Sequence, residues 1–128
     1  MTPRITVVIS TKDRGHLIGG VLASLMNQTI KNWECVVIQD WCSDNTNFIL
    51  STLADKRIKV YENGGVKGKS GALNFAKKYV KAPLVKFFDD DDVLVPCALE
   101  MYCQMMEETD ADMGYSARYT LALNNQMV

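Results

Sequence analysis

Four consecutive aspartates, Asp89 to Asp92, directly follow an apolar run at residues 84–88. Like charges placed side by side repel one another unless a cation or water screens them, so this acidic cluster indicates a divalent metal site. A ligand set made only of oxygen atoms favours Mg²⁺ or Mn²⁺. A solvated acidic turn is the alternative interpretation, and the rest of the sequence has to decide between the two.

Three further groups of polar residues follow predicted strands. Ser10 and Thr11 follow the first β-branched run, Asp40 follows the second, and Lys69 comes after a glycine-rich segment at residues 63–68. Hydroxyl groups and a carboxylate can bind a base and a ribose, and a lysine near a helix N-terminus can bind phosphate. With aspartates that hold a metal against the diphosphate oxygens, these residues predict a nucleotide-diphosphate site.

A regular alternation of strands and helices must position these residues. The apolar runs predict strands at residues 5–9, 33–38, 58–61 and 84–88, and helical spacing of apolar residues predicts a helix after each of them. This alternation predicts an α/β fold with a mostly parallel sheet and right-handed crossovers. Ligands bind such sheets beyond the carboxyl ends of the strands, so all four polar groups should line one edge.

Several residues are predicted to begin helices. Asp13 is placed to cap the first helix, and Ser43 or Asp44 the second. Pro96 is predicted to lie in the first turn of the last helix, where its missing N–H group costs nothing.

Composition limits the class of protein. The 128 residues predict one domain, residues 1–128, and the 48% hydrophobic and 23% charged fractions are typical of a folded soluble protein. A formal net charge of -1 argues against nucleic-acid binding. No apolar run approaches the length of a membrane span, and the N-terminus does not resemble a secretory signal, so the predicted compartment is the cytoplasm.

The cysteines and the histidine predict no chemistry of their own. The four cysteines form no CxxC pair, and His16 is the sole histidine, so signatures of zinc and haem sites are absent from the sequence. Cys35 and Cys103 lie in apolar patterns and are predicted to be buried thiols, whereas His16 is predicted to lie at the surface.

Four segments resemble, in chain order, the family 2 glycosyltransferases of the GT-A fold. They are residues 5–14 (ITVVISTKDR), 36–46 (VVIQDWCSDNT), 68–74 (GKSGALN) and 87–92 (FFDDDD) with Pro96. The resemblance spans nearly the whole chain, and the ordered set is more specific than any one motif. It implies a GT-A (Rossmann-like) sheet with helices on both faces. It also implies a nucleotide-sugar donor, usually a UDP-sugar, whose sugar is transferred to an acceptor hydroxyl with inversion.

The resemblance implies roles for the residues that match the donor-binding motifs. Ser10 and Thr11 would lie beside the uracil, and Asp40 would form a hydrogen bond with the uracil ring. Lys69 would approach the base or the diphosphate. Where the family often has an aromatic residue after Thr11 and a glycine after Asp40, this chain has Lys12 and Trp41. Trp41 could stack on the base or pack against the sheet.

The acidic motif of the family, a DxD-like element, falls on Asp89, Asp90 and Asp91. The first two positions would lie near the ribose as part of the nucleotide-sugar site. Asp91, with Asp89, would hold Mn²⁺ or Mg²⁺, and Asp91 is therefore the expected catalytic residue. Asp92 is expected to serve the turn or the start of the next helix.

Family members carry the acceptor site and the catalytic base well downstream of the acidic motif, and few residues follow Asp92 in this chain. Glu100, Glu107 and Glu108 fall within a predicted helix, so none of them is assigned as the base. We therefore expect a domain truncated after the acidic motif that binds the donor and assists the leaving group. The acceptor, whether a glycan, a lipid or a protein hydroxyl, stays open.

Two alternatives compete with a glycosyltransferase. Residues 63–70 (NGGVKGKS) miss the phosphate-loop pattern GxxxxGK[ST] at their first residue, and residues 84–89 resemble the acidic strand of such NTPases. The other alternative is a non-catalytic nucleotide-sugar-binding fragment or interaction module. In that case, the apolar residues 119–123 (YTLAL) form either a final strand or an uncovered edge that permits self-association.

Overall fold

The computed structural model describes residues 2–118 and contains four parallel strands in the order β3-β2-β1-β4. The strands are β1 (Ile5–Thr11), β2 (Trp33–Gln39), β3 (Ile58–Glu62) and β4 (Leu84–Phe87). The helices are α1 (Gly15–Met26), α2 (Thr46–Ser51), α3 (Lys69–Ala76), which a 3-10 turn extends to Tyr79, and α4 (Ala98–Glu107). The predicted α/β fold with a parallel sheet is confirmed. The apolar residues 119–123 lie outside the described part of the chain.

The two interior strands, β1 and β2, are buried on both faces, as their long β-branched runs require. On one face, Ile5, Val7 and Ile9 of β1 pack in a cluster with apolar residues of α1 and α4. On the other face, Val8 packs with Ala72 and Ala76 of α3. Helices therefore cover both faces of the sheet, as predicted. No helix among residues 2–118 is long and apolar enough to cross a membrane.

The predicted cap of α1 is wrong. α1 begins at Gly15 with Arg14 in the N-cap position, and no side chain caps it from within the segment. Asp13 has a positive φ of 51°. Its carboxylate accepts hydrogen bonds from the backbone N–H groups of Ser43 and Asp44 instead. The start of the second helix follows the prediction more closely, because the Asp44 carboxylate accepts a hydrogen bond from the N–H of Thr46.

The predicted place of Pro96 is also wrong. α4 begins at Ala98 with Cys97 as its N-cap, so Pro96 precedes the first helical turn. A turn that joins the N–H of Ala98 to the carbonyl of Val95 lies between β4 and this helix. The carbonyl of Pro96 accepts a hydrogen bond from Thr29, which ties the turn to the end of α1.

Candidate functional site

A cleft of about 380 Å³ opens at the carboxyl edge of the sheet. Every residue predicted from the sequence to bind a nucleotide sugar or a metal lines this cleft, together with two residues that had no assigned role. The lining residues are Ser10, Thr11, Lys12, Arg14, Asp40, Lys69, Asp89, Asp90 and Asp91. They meet because the four strands are parallel and end at the same edge. Their chemical roles stay predictions.

Thr11 ends β1 at the wall of the cleft and is 2% exposed. Its hydroxyl has no hydrogen-bond partner among residues 2–118. A buried hydroxyl group without a partner is uncommon, because the lost interaction with water is then not replaced. Thr11 thus lines the cleft, while its hydroxyl group is a buried polar atom whose hydrogen bond the described residues do not supply.

Asp40 is buried at the end of β2, and both of its carboxylate oxygens already accept hydrogen bonds. Oδ1 accepts from the Asn63 side-chain amide at 2.9 Å, and Oδ2 accepts from the backbone N–H of Gly68 at 2.9 Å. Asp40 thus holds the glycine-rich loop of residues 63–68 against the cleft, which sequence analysis did not predict. Each oxygen keeps a further lone pair that a ligand can use.

The glycine-rich loop places Lys69 at the first position of α3. Gly68 has a φ of 106°, in the region that glycine adopts at no steric cost. The Lys69 ammonium group forms an ion pair with Asp89. The hydrogen bond to Asp89 raises the pKa of Lys69 above its usual value, so this cation stays charged at neutral pH.

The acidic cluster brings carboxylate oxygens of Asp89, Asp91 and Asp92 within 4.8 Å of one another. Burial, followed by the charges of Asp91 and Asp89, raises the pKa of Asp92. Three carboxylates at this spacing fit a hard divalent cation such as Mg²⁺ or Mn²⁺. Asp92 also forms the expected turn, since its N–H contacts the carbonyl of Asp89 at 3.5 Å. Sequence analysis did not name Asp92 as a possible metal ligand, although the unbroken run of four aspartates was a signal for it.

Arg14 reaches the same acidic cluster from the start of α1. Its Nη1 lies 2.9 Å from Oδ2 of Asp91 and 3.7 Å from Oδ1 of Asp90. Sequence analysis included Arg14 in a motif but gave it no role. The available signal was its place in the short loop between the first predicted strand and the first predicted helix, the loop that also follows Ser10 and Thr11.

Trp41 follows Asp40 and lies outside the core clusters on the two faces of the sheet. Its side chain is half exposed, and the ammonium group of Lys67 lies 4.5 Å from the ring centroid. Its φ of 58° is unusual for a bulky residue. Trp41 is not among the residues that line the cleft, so its stacking on a base stays a prediction.

A second acidic group, Asp13, Cys42 and Asp44, also has ligand atoms within 4.8 Å of one another. The two carboxylates are already used, because Asp13 accepts from the N–H groups of Ser43 and Asp44 while Asp44 accepts from Gly15 and Thr46. Hydrogen bonds, chiefly from the Ser43 backbone to Asp13 and from the Thr46 side chain to Asp44, lower the pKa of both groups. We call this reciprocal pair of Asp13 and Asp44 the loop clamp, because it joins the loops after β1 and β2.

Other acids predicted to lie on the last helix take no part in the cleft. Glu100 accepts a hydrogen bond from the hydroxyl of Thr29, and Glu107 forms an ion pair with Arg4 at 2.7 Å. Among the cleft-lining residues of the described chain, the carboxylates are Asp40 and Asp89 to Asp91. Cys35 and Cys103 are buried and His16 is exposed, as predicted.

The parallel α/β sheet, with its polar, acidic cleft at the carboxyl edge, has the GT-A fold of the glycosyltransferase structures that it matches. More specifically, the chain belongs to the family described as glycosyl transferase family 2, whose model matches residues 6–123. Membership of this family favours the glycosyltransferase hypothesis over the phosphate-loop NTPase alternative.

Three similar proteins illustrate the relationship. The Escherichia coli protein WfgD, a UDP-Glc:alpha-D-GlcNAc-diphosphoundecaprenol beta-1,3-glucosyltransferase, is 34% identical over 124 residues, which are 97% of this chain and 49% of WfgD. The S. aureus TarS 1-349 structure with UDP-GlcNAc matches with a TM-score of 0.72 at 27% identity, covering 84% of this chain and 32% of that one. A mannosyltransferase from Pyrobaculum calidifontis with GDP-Man and Mn²⁺ matches with a TM-score of 0.65 at 26% identity, covering 73% and 29%. The chain thus spans about half the length of WfgD.

Proposed function

We propose that residues 1–128 are a single nucleotide-sugar-binding domain of a glycosyltransferase that uses a UDP-sugar and a divalent metal. The observation that carries the proposal is the cleft, which Ser10, Thr11, Asp40, Lys69 and three aspartates of the acidic cluster line together. A nucleoside diphosphate needs polar groups for the base, a cationic side chain for phosphate and carboxylates for the metal, and residues of all three kinds line this cleft. The reference to UDP-Glc in the name of WfgD supports uridine as the base.

In this proposal the residues that line the cleft bind different parts of the donor and its metal. Ser10, Thr11 and Asp40 bind the base, and Lys69 places a positive charge near the diphosphate. Asp89 and Asp90 lie on the ribose side, and Asp91 with Asp89 holds the cation. When bound, Mn²⁺ or Mg²⁺ would stabilise the negative charge of the departing diphosphate. We assign no residue between 2 and 118 as the base that deprotonates the acceptor.

We further propose that the sugar passes to an acceptor hydroxyl with inversion, and that this acceptor is a sugar carried on a lipid diphosphate. The support is the name of WfgD, whose acceptor is GlcNAc-diphosphoundecaprenol. The family resemblance at residues 5–14, 36–46, 68–74 and 87–92 supports inversion.

Calorimetric titration of the purified chain with UDP, in the presence and absence of Mn²⁺, tests the donor site. We expect binding that depends on Mn²⁺ and prefers UDP to GDP and ATP. The Asp91→Asn variant should lose its Mn²⁺-dependent binding of UDP. It should keep its fold, because a half-exposed carboxylate beyond the end of a strand contributes little to the core. Preference for ATP or GTP would instead support the phosphate-loop hypothesis, and an Asp91→Asn variant that binds UDP as the parent does would refute the metal assignment.

A further inference from the structure

The acidic cluster is already occupied by side-chain cations. Lys69 pairs with Asp89 from one side, and Arg14 pairs with Asp91 and Asp90 from the other. The Asp91 carboxylate therefore has two competing partners. It belongs to the group of three carboxylates that fits a divalent cation, and it accepts a hydrogen bond from the Arg14 guanidinium group. A metal ion and Arg14 cannot both make full use of it.

We propose that Arg14 is a placeholder cation and a donor-positioning residue: it holds Asp91 before the metal binds, releases it to the metal, and then binds the diphosphate. This inference rests on the proposed nucleotide-sugar site. The ion pair is suited to such an exchange, because the side chains of Arg14 and Asp91 are 43% and 46% exposed. Exposed ion pairs contribute little stability, so a divalent cation can replace the guanidinium at small cost.

The backbone on both sides of Arg14 is held in place by the loop clamp. Asp13, which precedes it, accepts hydrogen bonds of 2.6 and 3.1 Å from the N–H groups of Ser43 and Asp44. Gly15, which follows it, donates its N–H to Asp44 at 3.0 Å. A Cβ atom at Gly15 would lie 2.2 Å from the side-chain oxygen of Asn45, so the two loops approach closely at this glycine. The clamp thus fixes the backbone on both sides of Arg14, whose side chain lines the cleft.

Arg14 is also suited to bind the diphosphate after it has released Asp91. The guanidinium group offers several N–H donors in a planar arrangement that matches two phosphate oxygens at once, which a lysine ammonium group does not. Once Asp91 turns to the metal, Arg14 is a cation already lining the cleft that contains Lys69. If the ion pair of Arg14 and Asp91 only maintained the structure of the site, its loss would weaken the binding of both metal and nucleotide.

The test compares the parent with Arg14→Gln in two titrations: Mn²⁺ alone, and UDP at saturating Mn²⁺. We expect Arg14→Gln to bind Mn²⁺ about 1.5- to 5-fold more tightly, since a competing ion pair has gone. We expect the same variant to bind UDP about 10-fold more weakly, since a charged hydrogen bond to phosphate is lost. Arg14→Lys should return the Mn²⁺ affinity to that of the parent but restore only part of the UDP affinity.

Arg4→Gln is the matched control, because Arg4 forms an ion pair with Glu107 away from the cleft. It should change neither affinity. Unchanged or weaker Mn²⁺ binding by Arg14→Gln would overturn the placeholder role, and parent-like UDP binding would overturn the positioning role. A parent chain that binds Mn²⁺ but no nucleotide would instead overturn the proposed function, while the Mn²⁺ comparison would still decide the placeholder role.

Discussion

Asp40 lines the cleft and also binds the glycine-rich loop, so its replacement should change both stability and the proposed recognition of the base. Asp40→Ala leaves the N–H of Gly68 and one amide hydrogen of Asn63 without their acceptor. We expect the free energy of unfolding in urea to fall by about 1–3 kcal/mol. We also expect UDP binding to weaken, whereas the affinity for Mn²⁺ alone should not change, because Asp40 is not among the clustered carboxylates.

Asp55→Ala is the control for this prediction. Asp55 forms a hydrogen-bonded ion pair with Arg57 at 2.6 Å and does not line the cleft. Its loss should lower stability without changing UDP affinity. An Asp40→Ala variant as stable as the parent would show that the glycine-rich loop does not depend on this carboxylate.

At the scale of single residues, the sequence was sufficient where a residue lies at the end of a strand or directly after it. Ser10, Thr11 and Asp40 could be placed at one edge because the ends of parallel strands must meet there. The partner of Arg14 could not be predicted, because its direction depends on Asp13 accepting from Ser43, a contact between two loops far apart in the sequence. Local patterns carry no information about such a contact.

Among the helices and loops, some glycines pack closely against other backbone atoms and others have open space around them. The sequence alone does not distinguish the two. A Cβ atom at Gly71 in α3 would lie 1.8 Å from the carbonyl oxygen of Val66, whereas one at Gly19 in α1 would meet nothing within 4 Å. Gly71→Ala should therefore lower the free energy of unfolding by about 1–3 kcal/mol, because the loop must move away from the helix. Gly19→Ala should raise it by about 0.5–1 kcal/mol, because alanine is the better helix former. Urea denaturation of the two variants checks both signs, and equal effects would contradict the close packing of loop and helix.

The loop clamp predicts a dependence of stability on acidic pH. The hydrogen bond from the Ser43 backbone holds the pKa of Asp13 below its usual 3.8 in the folded chain. The unfolded chain therefore binds a proton more readily, and the stability from this carboxylate is present above that value and is lost as the pH falls towards the lowered pKa. Asp13→Asn keeps an oxygen acceptor and tolerates the positive φ, but it should make the acid limb of a stability–pH curve less steep. The exposed Asp110, changed to Asn, is the control, and an equally steep limb in both variants would refute the clamp's contribution.

The predicted elements differ from the observed ones mainly where a helix begins. Strand bounds could be predicted closely from β-branched runs, since each buried strand needs a continuous apolar stretch. The starts of α1 and α4 could not, because their first N–H groups and nearby carbonyls bond to other segments, as Gly15 does to Asp44 and Pro96 does to Thr29. A rule that looks for a capping residue in the adjoining sequence does not detect caps supplied from elsewhere in the fold.

On the scale of the whole molecule, helices pack on both sheet faces, but those within residues 2–118 leave apolar side chains of β4 exposed on one face. β4 is an edge strand in the described part of the chain, and Val85 and Phe87 on it are 42% and 55% exposed. Their register partners are Thr6 and Val8, so they share the sheet face on which α3 packs. Both faces of parallel sheets are usually covered, and an exposed apolar face on an edge strand favours association.

We therefore expect the purified 128-residue chain to self-associate through this face, with a weight-average mass in light scattering that rises with protein concentration. Phe87→Gln should reduce the rise, because it removes a large apolar side chain from the exposed strand. Phe48→Gln is the matched control, since Phe48 is 69% exposed but lies on α2, and it should leave the association as in the parent. Because Phe87 does not belong to the acidic cluster, its variant should bind Mn²⁺ as the parent does, which separates association from metal binding. A parent that stays monomeric at every concentration would refute the prediction, and equal effects of the two variants would place the contact elsewhere on the molecule.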